Sequence, residues 1–158
     1  MTDLFEALFE ALMIAAERVD GFLQRSGSKV GLLALLAVML LIYAFAPGPY
    51  EPEMPCPTDN TSSIGLAPPL WWVGGGPRTP ILSSMGLDPN SRIKYDVLLG
   101  STDEGMRMVG TTSGGRAKGN LHINITTPLE PGTVYLWQVE AENRLKKRSE
   151  SEVWTFST

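Results

Sequence analysis

Apolar and polar positions change rhythm three times along the 158-residue chain, and each rhythm predicts a different element. Between residues 3 and 25 the apolar side chains recur at helical spacing. Leu4, Phe5, Leu8, Phe9, Leu12, Ala15, Ala16, Val19, Phe22 and Leu23 share one arc when the chain turns about 100° per residue. Asp3, Glu6, Glu10, Glu17 and Asp20 lie on the other side, and only Ile14 falls among them. Thr2, Asp3 and Glu6 suit the amino-terminal end of a helix dipole and Arg25 its carboxyl end, after which Ser26-Gly27-Ser28 breaks the pattern. An amphipathic helix within residues 1–29 is the expectation.

Residues 30–46 read VGLLALLAVMLLIYAFA, seventeen positions without a charge, a proline or an amide. No polar stripe interrupts them at helical period, so they predict one transmembrane helix rather than a core helix of a globular domain. At about 1.5 Å of rise per residue they reach about 26 Å, the short end of what a hydrocarbon core of about 30 Å requires, and flanking residues supply the remainder. Pro47 directly after Ala44-Phe45-Ala46, together with the acidic stretch ahead of the run, argues for a retained anchor over a cleaved signal peptide. Arg18, Arg25 and Lys29 flank the amino side, whereas the next basic residue on the carboxyl side is Arg78. This asymmetry predicts a single pass through the cytoplasmic (inner) membrane, with the N-terminus cytoplasmic and the C-terminal domain periplasmic or otherwise extracytoplasmic. Tyr43, Phe45 and Tyr50 then suit the outer interface.

Seven prolines between Pro47 and Pro69 predict an extended, semi-rigid linker over residues 47–67. Beyond Leu66 the rhythm becomes short period-two runs separated by Gly, Pro, Asn and Asp, the pattern of an antiparallel all-β sandwich over residues 68–158. Ile93, Tyr95, Val97 and Leu99 alternate onto one face, as do Leu121, Ile123 and Ile125. Tyr135, Trp137, Val139 and Ala141 form a third inward stripe, and Trp154 with Phe156 a fourth.

The segments TPLEPGTVYLWQVEAEN and SESEVWTFST resemble the last two strands of a fibronectin type III domain of the bacterial kind. Leu129, Pro131, Gly132, Thr133 and Tyr135 carry the match, and it implies that Tyr135 is a tyrosine corner whose hydroxyl bonds to upstream backbone. TPILSSMGLDPN and IKYDVLLGST resemble the second and third strands, which puts Ser84 where the family usually has a core tryptophan. The resemblance implies that Trp71 or Trp72, Trp137 and Trp154 fill that volume. It speaks for an immunoglobulin-like sandwich and for no particular activity.

Composition narrows the partners. A net charge of -4 with no basic stripe argues against nucleic acid, and the one basic run, Lys146-Lys147-Arg148, reads as a solvated hairpin turn. Cys56 is the only cysteine, so no intramolecular disulfide forms, and it reads as a free thiol in the linker. His122, the only histidine, alternates with Leu121 and Ile123 and is expected to face solvent. These side chains build no nucleophile, zinc site or cofactor site, so no enzymatic activity, metal, cofactor or small-molecule substrate is expected. Asp88, Asp96, Asp103 and Glu104 lack the spacing of a calcium loop and fit turns and strand edges.

Acidic residues on the polar face of the first helix disfavour anionic headgroups, so its apolar arc is expected to dock on neighbouring membrane-protein subunits. Leu98 and Leu136 alternate outward on strands expected to be neighbours and form a small contact patch; Trp71 and Trp72 either plug the sandwich or meet the membrane interface. The function expected from the sequence is a non-catalytic accessory subunit of a larger membrane complex, respiratory and photosynthetic assemblies among the hosts. The alternative is a freestanding membrane-anchored adhesion or ligand-binding module.

Overall fold

The computed structural model describes residues 28–102 and 104–158, which divide into a helix ending at Phe45 and a second unit, Ala46–Thr158. The amphipathic helix, with Leu4, Phe5, Leu8, Phe9, Leu12, Val19 and Phe22, lies outside the described residues. Helix α1, Ser28–Phe45, covers 18 residues and most of the expected span. Pro47, just beyond it, sets φ and lacks a backbone donor. Among the described residues no helix is long and apolar enough to cross a membrane. With Ser28 and Lys29 in its first turn, α1 reaches only about 27 Å at 1.5 Å per residue.

The second unit is a β-sandwich. Strands β1 (Glu53–Cys56), β2 (Pro69–Gly74) and β5 (Gly119–Asn124) form one antiparallel sheet in the order β1-β2-β5. The other sheet runs β4 (Arg107–Gly114), β3 (Ile93–Ser101), β6 (Val134–Glu142) and β7 (Arg148–Glu150), with β8 (Trp154–Ser157) also paired to β6. The period-two stripes supply the core. Ile93, Tyr95, Val97 and Leu99, Tyr135, Trp137, Val139 and Ala141, and Trp154 with Phe156 all point inward, against Leu70, Trp72 and Ile123 of the smaller sheet. Leu121 and Ile125 pack at its margin.

Two expectations are corrected. The proline-rich stretch 47–67 is not a linker, because β1 lies within it and the folded unit begins at Ala46 rather than at residue 68. Its prolines end regular pairing without freeing the chain: Tyr50 N–H bonds Gly75 O at 2.9 Å, and Ile64 N–H bonds Ser157 O at 3.0 Å. Second, TPILSSMGLDPN is not a strand. Pro80–Ser84 forms the short helix α2, started by a proline in its first turn and closed by Gly86 at φ 70°. Leu87 N–H reaches back to Leu82 O at 2.7 Å and Gly86 N–H to Ser83 O at 3.1 Å, a Schellman closure. The second strand is β2, and Trp72 on it is, with Trp137, one of two fully buried core tryptophans, 5.9 Å from the ring of Tyr95.

The tyrosine corner forms. Tyr135 O–H accepts the Glu130 N–H at 2.9 Å, tying the turn before β6 to that strand.

Candidate functional site

Five of the thirteen buried core residues are tryptophan or tyrosine, so what the unit offers to partners must be sought on the outward faces of its sheets. The outer face of the larger sheet changes character along the strands. At one end Leu98 pairs with Met108 on β4 and Gln138 on β6, while Leu136 lies opposite Gly100, which makes Leu98 and Leu136 diagonal neighbours. Both leucines are half-buried and Met108 is exposed. The expected apolar pair is therefore brought together.

Toward the other end the same face becomes charged. Arg92, Lys94, Arg144 and Lys146 line an open cleft of about 630 Å³ with Thr111, Thr112, Ser113, Glu142 and Asn143. Lys94 pairs with Asp96 at 2.6 Å, and Asp96 also accepts Thr111 Oγ1 at 2.6 Å. Partial burial works against ionisation of Asp96, but these donors hold its carboxyl below the usual range. Glu142 takes Lys146 at 2.7 Å and Arg148 at 2.8 Å, and the two hydrogen bonds lower its pKa. Arg92 and Arg144 form no ion pair among the described residues. The cleft is a concentration of positive charge on an acidic protein, and the sequence conceals it because its cations come from two segments about fifty residues apart.

Beneath this end lies a buried polar network that the sequence also hid. Asn90 Nδ2 donates to Pro47 O at 3.1 Å and Pro77 O at 3.0 Å, and Asn143 Nδ2 donates to Asn90 Oδ1 at 3.0 Å. Asn143 Oδ1 accepts the N–H groups of Leu145 and Lys147 at 2.9 and 3.1 Å, shaping the β6–β7 turn. Asp88 caps the adjoining 3₁₀ turn through Asn90 N–H and meets Arg116 at 3.3 Å. The network fastens Ala46 and Pro47, where the chain enters the sandwich, to the turn that carries Arg144 and Lys146.

On the smaller sheet, Cys56, Trp71 and His122 occupy one register row across β1, β2 and β5. Trp71 stacks on His122 with ring centroids 4.4 Å apart, and Met54 beside them is exposed. Trp71 thus faces outward and Trp72 inward, which answers the question the sequence left open. His122 is exposed, as predicted, and Cys56 is an exposed free thiol in β1. Among the described residues no three His, Cys, Asp or Glu side chains gather into a metal-holding group.

No family model and no curated protein matches the chain. Among solved structures it is similar to the sensor domain of the anti-sigma factor RsgI4 from Pseudobacteroides cellulosolvens, at 14% identity and a TM-score of 0.42, over 72% of this chain and 96% of that one. The solution structure of that sensor domain matches at 13% identity and a TM-score of 0.37, over 68% and 72%. The chicken interferon gamma receptor alpha chain matches at 14% identity and a TM-score of 0.40, with 66% of this chain covering 48% of that one. The sandwich architecture rests on the strand pairing and shared core rather than on these likenesses.

Proposed function

We propose that the protein is a non-catalytic, single-pass membrane protein whose fibronectin type III-like sandwich stands outside the cytoplasmic membrane as an accessory subunit of a larger membrane assembly. The observation that carries the anchor is the surface of α1. Leu32, Leu33, Leu35, Leu36, Leu40, Leu41 and Phe45 are between 51% and 78% exposed. Each Å² of such surface costs about 25 cal/mol in water, so a helix apolar on every side belongs in hydrocarbon or against other protein. The described helix is short for a span taken alone, and flanking side chains complete the reach.

The tyrosine corner and the order of the two sheets support the fibronectin-like assignment. The subunit role is supported by the diagonal neighbours Leu98 and Leu136 beside exposed Met108, an apolar patch on an otherwise polar sheet face. A freestanding binding module is the second reading, favoured by the Trp71–His122 stack on the opposite sheet.

Alkaline carbonate extraction of membranes from cells making the full chain, followed by a native gel of the detergent extract, tests both parts. The expected result is a carbonate-resistant chain that migrates with a large complex. Release by carbonate overturns the anchor, and a small monodisperse particle favours the freestanding module.

A further inference from the structure

The cationic cleft is tied by hydrogen bonds to Ala46 and Pro47, the first residues of the sandwich unit. Asn143, one of its lining residues, donates to Asn90, and Asn90 in turn holds Pro47 O at 3.1 Å. Lys147, next to Lys146, bonds the carbonyl of Ala46. Resting on the anchor proposed above, we infer that this cleft binds the phosphate groups of anionic phospholipids in the outer leaflet and so holds the sandwich against the bilayer.

Three features carry the assignment. Arg92, Lys94, Arg144 and Lys146 surround a cleft with one lining carboxylate, Glu142, which Lys146 and Arg148 already neutralise. Lys94 is paired with Asp96, which leaves the two arginines as the cations without an ion-pair partner among the described residues. Arg92 and Arg144 are exposed, so two planar guanidinium forks stand ready for phosphate oxygens. Residues 47–67 belong to the sandwich unit, so no separate stalk stands between that unit and Phe45 in the chain. Basic residues at an anionic surface attract over about one Debye length, about 8 Å at physiological salt.

The test uses the full chain in nanodiscs of phosphatidylcholine alone or mixed with phosphatidylglycerol, read by amide hydrogen exchange over residues 111–113 and 142–146. Exchange is expected to slow with phosphatidylglycerol and to return to the phosphatidylcholine rate when Arg92→Gln and Arg144→Gln are combined. Neither arginine has an ion pair to lose among the described residues, so the fold is expected to survive the change. Arg107→Gln, at the far end of β4, is expected to leave the protection intact. Equal exchange in the two disc types overturns the proposal, as does equal protection by inorganic phosphate in phosphatidylcholine discs, which would make a soluble anion the ligand. Should the chain fail to enter discs at all, the anchor reading falls. The cleft is then judged by sedimentation with preformed phosphatidylglycerol vesicles: binding lost in the arginine pair sustains it, and no binding overturns it.

Discussion

Tyr95 carries an ionisable hydroxyl into the centre of the sandwich, where it is fully buried and has no hydrogen-bond partner. Burial pushes its pKa from 10.0 up to about 12, with the nearby Gly75 backbone pulling weakly the other way. The unfolded chain therefore loses this proton before the folded one does. The stabilising contribution is whole below about pH 10 and disappears between about pH 10 and 12, with a slope of at most about 1.4 kcal/mol per pH unit. Denaturation at pH 8 and 11 is expected to show this loss, and Tyr95→Phe is expected to remove it without lowering stability near neutrality, since no hydrogen bond is given up. Ser151 is the opposite case. Between β7 and β8 the last strand breaks, and the Ser151 hydroxyl accepts the buried Val139 N–H at 3.0 Å while donating to Glu152 O at 2.7 Å. Ser151→Ala leaves that N–H unpaired and is expected to cost about 1–3 kcal/mol in urea unfolding. Of these residue-scale features the tyrosine corner was legible, because Leu129, Pro131, Gly132, Thr133 and Tyr135 lie close together in the chain. Asn90 and Asn143 were not, because each looks like an ordinary turn asparagine until its partner, 53 residues away, is known.

At the scale of elements, the proline-rich segment has the composition of a spacer and the bonding of a strand. Composition misleads here because edge strands tolerate proline, whose missing N–H faces away from the sheet. β1 pairs with β2 through Glu53 with Val73 and Cys56 with Trp71, shielding the edge beside the core Trp72. Asp59 fixes the following turn by accepting Thr155 N–H at 2.7 Å and Thr155 Oγ1 at 3.0 Å, contacts that lower its pKa. Excision of residues 53–56 would be harmless in a linker; in this structure it is expected to abolish the sharp thermal transition of the sandwich, as scanning calorimetry would show. The helix α2 carried readable signals that the family resemblance overrode: Pro80 at its start and Gly86 after its end mark a short helix, yet Ile81 and Leu82 beside serines also fit a strand. Period alone cannot separate the two over five residues. The long strands β3 and β6, nine residues each, gave the alternation room to be unambiguous.

For the whole molecule, the question is what environment a helix apolar on all sides requires, since burial against the remainder of a small protein would spare only one face. Leu36, near the middle of α1, is 51% exposed and is flanked by Leu32, Leu33, Leu40 and Leu41, all more exposed still. On the anchor proposed above, Leu36→Lys would place an ammonium at the depth where insertion is least favourable, at a cost of about 2.5–3.5 kcal/mol. For a run of seventeen residues, already at the lower length limit, little surplus hydrophobicity remains to absorb that cost. The variant is therefore expected to move from the carbonate-resistant pellet to the supernatant in membrane fractionation. Leu36→Phe, apolar and of adequate size, is expected to stay in the pellet. The sandwich has its own core, made entirely from residues beyond Ala46, so its thermal transition is expected to be the same in both variants. That combination separates an anchor from a structural helix: if Leu36→Lys leaves membrane association unchanged but lowers the transition, α1 serves the fold and the membrane assignment is wrong.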